Sequence, residues 1–135
     1  NFILNKYFYG GLYLYKNINK DYLDNIFQKN MRTSHFIICN RGSGNFTMRF
    51  YETLAAGRIP ILVDTDMILP LEDKINWKEY IIFEPTEELV IKKIIYWWKT
   101  KNIEYIQYQC YLIFNKYFSQ NNFTNYLDEV LSNEN

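Results

Sequence analysis

Two arginines, two glycines and a threonine fall within nine residues of this sequence: Arg41, Gly42, Gly44, Thr47 and Arg49. A glycine has no side chain, so the backbone beside it can approach a ligand closely. Thr47 fits the N-cap of a following helix, whose free backbone N–H groups favour an anion such as a diphosphate. The two guanidinium groups add positive charge in a planar geometry that suits phosphate oxygens. The stretch therefore predicts a phosphate-binding loop and helix start.

A carboxylate lies close to this predicted phosphate site. Glu52 follows Arg49 by three residues, so both side chains share one face of the predicted helix. A carboxylate beside a phosphate site is unfavourable unless it has another role. Accepting hydrogen bonds from the hydroxyls of a ribose is such a role. The alternative is a surface ion pair between the two residues, which would contribute little. The other face, with Tyr51, Leu54 and Ala55, is expected to pack on a sheet.

The segments on either side of this helix are typical of buried strands. Residues 35–39 and 61–63 are short apolar runs, Gly57 ends the helix and Pro60 opens the second strand. A strand, loop, helix and strand in this order predict a right-handed crossover between parallel strands. This arrangement leaves the loop and the helix start at the carboxyl end of the first strand, where open α/β sheets bind their ligands.

Two aspartates follow the second strand, separated by one residue. Asp64 and Asp66 have a spacing that can chelate Mg²⁺ or Mn²⁺ through carboxylate oxygens, so a divalent metal is left open. A strand-end turn with solvated or capping carboxylates explains the same residues and is the preferred interpretation. The sole histidine, His35, heads a predicted strand and is interpreted as structural, so no Ser-His-Asp or Cys-His arrangement is predicted.

Composition narrows the class of protein. The 135 residues carry a formal net charge of zero, which argues against a general nucleic-acid-binding surface. The hydrophobic content of 48% argues against disorder. Cys39 and Cys110 lack metal or redox spacing and are expected to be free, buried thiols. No apolar run approaches ~20 residues, so no transmembrane helix is predicted. The sequence opens without a methionine, and we expect a piece of a longer polypeptide.

The remaining elements complete an alternating α/β pattern. Short strands are predicted at residues 2–4, 12–15 and 80–83, and helices at residues 21–32, 86–100, 102–118 and 122–131. Trp97 and Trp98 are expected on the buried face of the helix over 86–100, and Phe123 on that of the last helix. Trp77, in the loop before the third strand, is interpreted as a packing anchor rather than a sugar-stacking surface.

The central stretch resembles the exostosin-like glycosyltransferases, glycosyltransferase family 47. The resemblance covers roughly residues 21–85 and depends on the order and spacing of many unlike residues. The matching residues are Ser34, Phe36, Arg41, Gly42, Thr47, Arg49, Phe50, Glu52, Leu54, Gly57, Ile59, Pro60, Leu69, Pro70, Ile75 and Trp77. The sequence departs from the family pattern at Asn40, Thr47, Leu71 and Asn76, which stand where Pro, Ser, Phe and Asp are usual.

The resemblance implies a Rossmann-like open parallel sheet flanked by helices, the C-terminal half of a two-domain GT-B enzyme. Residues 1–135 would then form one donor-binding domain, with the helices of residues 101–131 packed on it. Such a half binds a nucleotide sugar, usually a UDP-sugar, and the family transfers the sugar with inversion to a glycan or other hydroxyl acceptor. The acceptor-binding N-terminal domain would lie outside this sequence.

The resemblance also implies roles for individual residues. Arg41 and Arg49 would hold the diphosphate, the backbone from Gly42 to Thr47 would line it, and Glu52 would hold the ribose. Asn45 and Phe50 complete the nucleotide-sugar-binding set, and Asp66 is a candidate for the sugar or acceptor side. No catalytic base is assigned. A non-catalytic nucleotide-binding module from a truncated homologue is the alternative. The compartment would be the cytoplasm for a microbial or viral protein and the Golgi lumen for a eukaryotic one.

Overall fold

A computed structural model of the protein describes residues 20–42, 44–45 and 47–133. The chain divides into two units, residues 1–30 and residues 31–135. Helix α1, Lys20–Thr33, runs across that division, as the sequence predicts for residues 21–32. The strands predicted at residues 2–4 and 12–15 lie outside the described residues. The sheet and every later element belong to the second unit.

Three parallel strands form an open sheet in the order β1-β2-β3. They are β1, Phe36–Ile38, β2, Ile59–Val63, and β3, Ile82–Glu84. Phe36 pairs with Ile59, and Ile61 pairs with Ile82. Helices flank this sheet, so the prediction of a Rossmann-like α/β fold is confirmed. The sequence predicts the third strand at residues 80–83, which is slightly too early. Its apolar run begins before the first residue that pairs with β2, Ile82.

The central strand β2 is buried on both faces, as parallel strands between helices usually are. Four of its five residues are buried. One of them is Pro60, which lacks the N–H group that a sheet interior normally uses. The N–H of Ile59 points to β1, where it donates to His35 O at 3.0 Å. By alternation the nitrogen of Pro60 points to the other side, one position before the ladder with β3 begins at Ile61. The proline therefore removes no ladder hydrogen bond.

Four helices follow the first one along the chain. They are α2, Met48–Ala55, α3, Glu87–Thr100, α4, Ile103–Ile113, and α5, Gln120–Asn133. Thr86 caps α3 by accepting from Leu89 N at 3.3 Å, and Asn102 caps α4 by accepting from Tyr105 N at 3.0 Å. The predicted helix over 102–118 instead ends in a π-helical turn, Phe114–Phe118. Among the helices of the described residues, none combines the length and apolar character that crossing a bilayer requires.

Two predicted faces need correction. Val90 and Trp97 are buried on α3 as expected, but Trp98 is 58% exposed, with the centre of its ring 6.5 Å from that of Phe36 on β1. On α5 the Phe123 side chain is 45% exposed rather than inward. In both cases the residue has the helical spacing of the buried face. The packed elements, however, cover less of the helix surface than this spacing predicts.

Trp77 anchors the segment between β2 and β3, as predicted. It begins a short 3-10 turn, Trp77–Glu79, and is 4% exposed. Its indole N–H donates to Pro70 O at 2.6 Å, which satisfies the one polar group of the ring. Its ring lies 5.2 Å from that of Phe50 on α2 and 6.4 Å from that of Phe118 in the π-helical turn. The ring is therefore unavailable as a surface for stacking on a sugar.

Candidate functional site

The loops after β1 and β2 leave the sheet at the same edge. Beyond the strands the ladder continues, with Cys39 N donating to Ile61 O at 2.8 Å and Asp64 N donating to Glu84 O at 2.9 Å. The segments that begin at residue 40 and at residue 64 therefore start side by side at the carboxyl ends of parallel strands. This is the edge at which open α/β sheets bind ligands.

The loop after β1 leads directly into the start of α2. Thr47 has extended backbone angles, φ −135° and ψ 131°, and its hydroxyl accepts from Arg49 N at 3.3 Å, so the predicted N-cap is confirmed. Arg41, Gly42 and Gly44 are exposed in the loop. Apart from its chain neighbours, a methyl group added at Gly44 would meet no atom of the described residues within 4 Å. The loop thus presents an accessible backbone and a cation beside a helix N-terminus.

A pair of hydrogen bonds joins this loop to the loop after β2. Asn45 Nδ2 donates to Thr65 O at 2.8 Å, and Thr65 Oγ1 donates to Asn45 Oδ1 at 2.6 Å. The Asn45 amide, predicted to contact the nucleotide, is therefore engaged with a residue 20 positions along the chain. We call this reciprocal pair the Asn45–Thr65 clasp.

Arg49 and Glu52 lie on the first turns of α2 near the end of β1. Arg49 is half-buried and Glu52 is exposed. Burial raises the pKa of the nearby Cys39 thiol to about 11, and the hydrogen bond with Thr53 and the charge of Arg49 lower it by smaller amounts. The predicted pair is therefore positioned at the carboxyl edge of the sheet. The Cys39 thiol beneath it stays protonated at neutral pH and is not a nucleophile.

The floor of this region is made by side chains that face the sheet. Cys39 Sγ lies 3.5 Å from Thr53 Oγ1, which donates to Arg49 O at 2.6 Å. Phe50 is 1% exposed and its ring packs on those of Tyr51 and Trp77. Phe50 belongs to the predicted nucleotide-sugar-binding set, but its ring is not available at the surface of this edge. It holds α2 against the core instead.

The two aspartates after β2 form a turn, in keeping with the preferred interpretation. Asp64 Oδ1 accepts from Asp66 N at 2.9 Å, and Asp66 has a positive φ of 60°. Over the described part of the chain, no three His, Cys, Asp or Glu side chains converge as metal ligands. Asp66 is exposed at the same edge as the loop with Arg41, which leaves it a candidate for the sugar or acceptor side.

Two further features contain none of the predicted nucleotide-site residues. A concavity of about 770 Å³ runs beside β3 and α3, and none of the predicted site residues lines it. It is lined by Leu69, Glu72, Asp73, Lys74, Ile75, Asn76, Trp77, Lys78, Ile81, Phe83, Glu84 and Lys93. At the amino end of β1, His35 Nδ1 lies 3.3 Å from Gln107 Oε1, and its ring lies 5.3 Å from that of Trp98. These contacts favour the structural interpretation of His35.

The comparisons with known proteins agree on one family. The model of the exostosin GT47 domain matches residues 11–95, which is more than half of the chain. The chain belongs to the exostosin GT47 family. The matched range contains all three strands, the loop after β1, the clasp and α2, so the family signal coincides with the carboxyl edge described above.

Individual relatives of this GT47 chain are much longer than the chain itself. Exostosin-1 of Drosophila melanogaster is 29% identical over 101 residues, which are 74% of this chain and 13% of that protein. A probable glycosyltransferase of Arabidopsis thaliana is 31% identical over 65 residues, 48% of this chain and 12% of the relative. A probable glucuronosyltransferase of Oryza sativa subsp. japonica is 30% identical over 63 residues, 47% of this chain and 15% of the relative.

Sequence reasoning missed one contact at this candidate site. Thr65 was considered only as the residue between two aspartates, whereas its hydroxyl and carbonyl both contact Asn45. A signal did exist, because polar residues that follow adjacent parallel strands meet at one edge of the sheet. The identity of the partner depends on side-chain geometry that spacing does not contain.

Proposed function

We propose that this chain is the nucleotide-sugar-binding part of a glycosyltransferase, corresponding to the C-terminal half of a GT-B enzyme. It would bind a UDP-sugar, from which the enzyme transfers the sugar with inversion to a hydroxyl of a glycan. The observation that carries the proposal is the exposed glycine loop and capped α2 start at the carboxyl edge of a parallel sheet. The acceptor-binding half would belong to a part of the protein outside this sequence.

The phosphate groups would be bound by backbone and arginine together. The first turn of α2 leaves N–H groups without helical partners, and these favour an anion. The exposed Arg41 and the half-buried Arg49 lie on either side of the loop that leads into this turn. During transfer, negative charge grows on the diphosphate as the bond to the sugar breaks. Fixed positive charge at that point lowers the barrier, because it stabilises the diphosphate more in the transition state than in the ground state.

The nucleoside would be bound further along the same helix. Glu52 is exposed on the face of α2 that also carries Arg49, one turn deeper into the helix. Its carboxylate can accept hydrogen bonds from both hydroxyls of a ribose, which a neutral side chain of that length does less strongly. This assignment explains why a negative charge stands beside a phosphate site. The names of the relatives, exostosin-1 and the rice glucuronosyltransferases, support a sugar nucleotide as the donor.

A calorimetric titration of the 135-residue chain with UDP, UMP and GDP tests the proposal. We expect UDP to bind more tightly than UMP, because only UDP carries the second phosphate. Arg49→Ala and Glu52→Ala should each weaken UDP binding by about 10-fold or more, since hydrogen bonds to charged groups contribute about 1.5–3 kcal/mol. A thermal melt of each variant establishes that it is folded at the titration temperature.

Matched controls separate the site from general effects of lost charge. Arg32→Ala removes an exposed arginine beyond the amino end of β1, and Glu104→Ala removes an exposed glutamate on α4. Both should leave UDP affinity within about twofold, because exposed charges that distant are screened. A folded chain that binds no UDP would overturn the proposal, as would site variants that bind UDP like the controls.

A further inference from the structure

We propose that the Asn45–Thr65 clasp holds the loop after β1 in its nucleotide-binding position, so that Thr65 is a positioning residue. The inference rests on the proposed function, because the nucleotide is the ligand that the loop would meet. It gives Asn45 a role other than direct contact with the nucleotide. It also assigns a role to Thr65, which lies between the two aspartates after β2.

The clasp restrains the loop through both ends of one amide group. Asn45 donates from Nδ2 and accepts at Oδ1, at 2.8 and 2.6 Å, so its side chain is fixed in a single orientation. Asn45 lies between Gly44, which has open space around it, and Thr47, which caps α2. Two bonds to one residue therefore fix the part of the loop whose backbone would line a diphosphate.

Thr65 is itself held in place by the sheet. Asp64 N donates to Glu84 O at 2.9 Å, which extends the ladder with β3 by one residue. On the other side of Thr65, Asp66 N donates to Asp64 Oδ1 at 2.9 Å and closes a turn around it. The clasp thus connects the loop after β1 to the paired ends of β2 and β3.

A loop held in this way binds a ligand more tightly than a free one. Ordering a flexible segment on binding reduces affinity, and preorganisation removes that loss. The clasp is exposed or half-buried and lies outside the core, so breaking it should change ligand affinity more than the stability of the fold. Direct contact of Asn45 with the nucleotide makes a different prediction, because Thr65 would then be unimportant.

Three variants at two positions distinguish these roles. Thr65→Val removes the donated hydrogen bond with little change of shape, Thr65→Ser keeps it, and Asn45→Ala removes both bonds. We expect UDP affinity to fall about 3- to 10-fold in Thr65→Val and about 5- to 20-fold in Asn45→Ala. Thr65→Ser should bind like the unmodified chain. The double variant Asn45→Ala with Thr65→Val should be no weaker than Asn45→Ala alone, because the two residues act as one unit.

Hydrogen exchange gives a second readout that needs no nucleotide. In the ligand-free chain, the Gly44 amide should exchange faster in Thr65→Val and Asn45→Ala, while melting temperatures stay within a few degrees of that of the unmodified chain. Thr100→Val is the matched control. It removes an exposed threonine hydroxyl that donates to Tyr96 O at 2.7 Å on α3, and it should change neither UDP affinity nor exchange at Gly44.

The outcomes separate the clasp from the proposed function. If the exchange rate of the Gly44 amide is unchanged in both clasp variants, the proposed positioning role of the clasp is overturned, whether or not UDP binds. Loss of UDP binding in Asn45→Ala together with unchanged affinity in Thr65→Val would overturn it too, because these results would indicate direct contact. A chain that binds no UDP, but whose Gly44 exchange rises in both variants, would overturn the proposed nucleotide site and support the positioning of the loop.

Discussion

At the scale of single residues, two glycines in one motif have separate tasks. Gly57 has a positive φ of 61° just after α2, a conformation that residues with a Cβ adopt at a cost. Gly44 has no such angle and has open space where a Cβ would lie. The first glycine is therefore required by the backbone of the chain. If the second is required, the reason lies in a ligand that approaches the loop.

This difference predicts opposite phenotypes for the same substitution. Gly57→Ala should lower the free energy of unfolding by about 1–2 kcal/mol through backbone strain, with UDP affinity unchanged at a temperature where the chain is folded. Its new methyl group would lie 3.5 Å from Gln107 O and from Tyr111 Cβ, which is ordinary contact, so no steric clash adds to that loss. Gly44→Ala should leave the unfolding free energy within about 0.5 kcal/mol and weaken UDP binding several-fold. Urea unfolding and calorimetry measure the two quantities.

A loss of stability in Gly44→Ala would contradict this division, and so would unchanged UDP affinity in that variant. The first result would mean that the loop needs the glycine for its own conformation. The second would mean that the nucleotide does not approach the loop at Gly44.

The roles of residues in the motif could be predicted from the sequence where those roles depend on local helix geometry. The Thr47 cap and the shared helix face of Arg49 and Glu52 follow from spacing along one helix. The place of Phe50 in the motif does not say whether its ring points to the loop or to Trp77, on which it packs in the structure. The clasp was missed since its two residues are 20 positions apart and meet only in the folded sheet.

At the scale of elements, the cap of α2 serves both the helix and the ligand site. Thr47 accepts from Arg49 N at 3.3 Å, and Thr86 accepts from Leu89 N at 3.3 Å at the start of α3. The two caps have the same residue type and the same bond length. Only the first lies at the loop that would bind the diphosphate.

These two caps form a matched pair of variants. Thr47→Ala and Thr86→Ala should each lower the free energy of unfolding by about 1 kcal/mol, because each leaves a helix N–H without its partner. Only Thr47→Ala should also weaken UDP binding, by several-fold, since the first turn of α2 would fray beside the ligand. Calorimetry on both variants checks this. Equal UDP affinities in the two variants would mean that the start of α2 does not contribute to UDP binding.

The elements themselves were mostly predictable, and the errors have a physical cause. The caps Thr86 and Asn102 and the glycine after α2 set helix ends that the structure reproduces within a few residues. Trp98 and Phe123 are exposed although the sequence predicts them to be buried. Helical spacing shows which side of a helix faces the core, but not how much of that side the neighbouring elements cover. In the π-helical turn Phe114–Phe118, the ring of Phe118 contacts those of Tyr51 and Trp77, and no local pattern contains these contacts.

At the scale of the whole molecule, two buried thiols couple stability to alkaline pH. Cys39 is 2% exposed and Cys110 is 0% exposed, and both are free. Burial raises the pKa of the Cys39 thiol from 9.0 to about 11 and that of the Cys110 thiol from 9.0 to about 12. The folded chain therefore keeps both protons at a pH where the unfolded chain has lost them.

The sign of the effect follows from those directions. Because the pKa values in the folded state are raised, the stabilisation is complete below pH 9 and is lost as pH rises through about 11 for Cys39 and about 12 for Cys110. Between pH 9 and 11, the unfolding free energy should fall by up to about 1.4 kcal/mol per pH unit for each thiol. Urea unfolding at pH 8, 9, 10 and 10.5 measures this slope.

The double variant Cys39→Ala with Cys110→Ala isolates the thiols from other groups that titrate in the same range. Burial also raises the pKa of Tyr51 and of Tyr80, so some slope should persist in the variant. The variant will be less stable at every pH because it loses buried volume, and the readout is therefore the slope rather than the value. A flatter slope than that of the unmodified chain is expected. Equal slopes would mean that water reaches the thiols, and that the sheet and helices around β1 and α4 open before the chain unfolds.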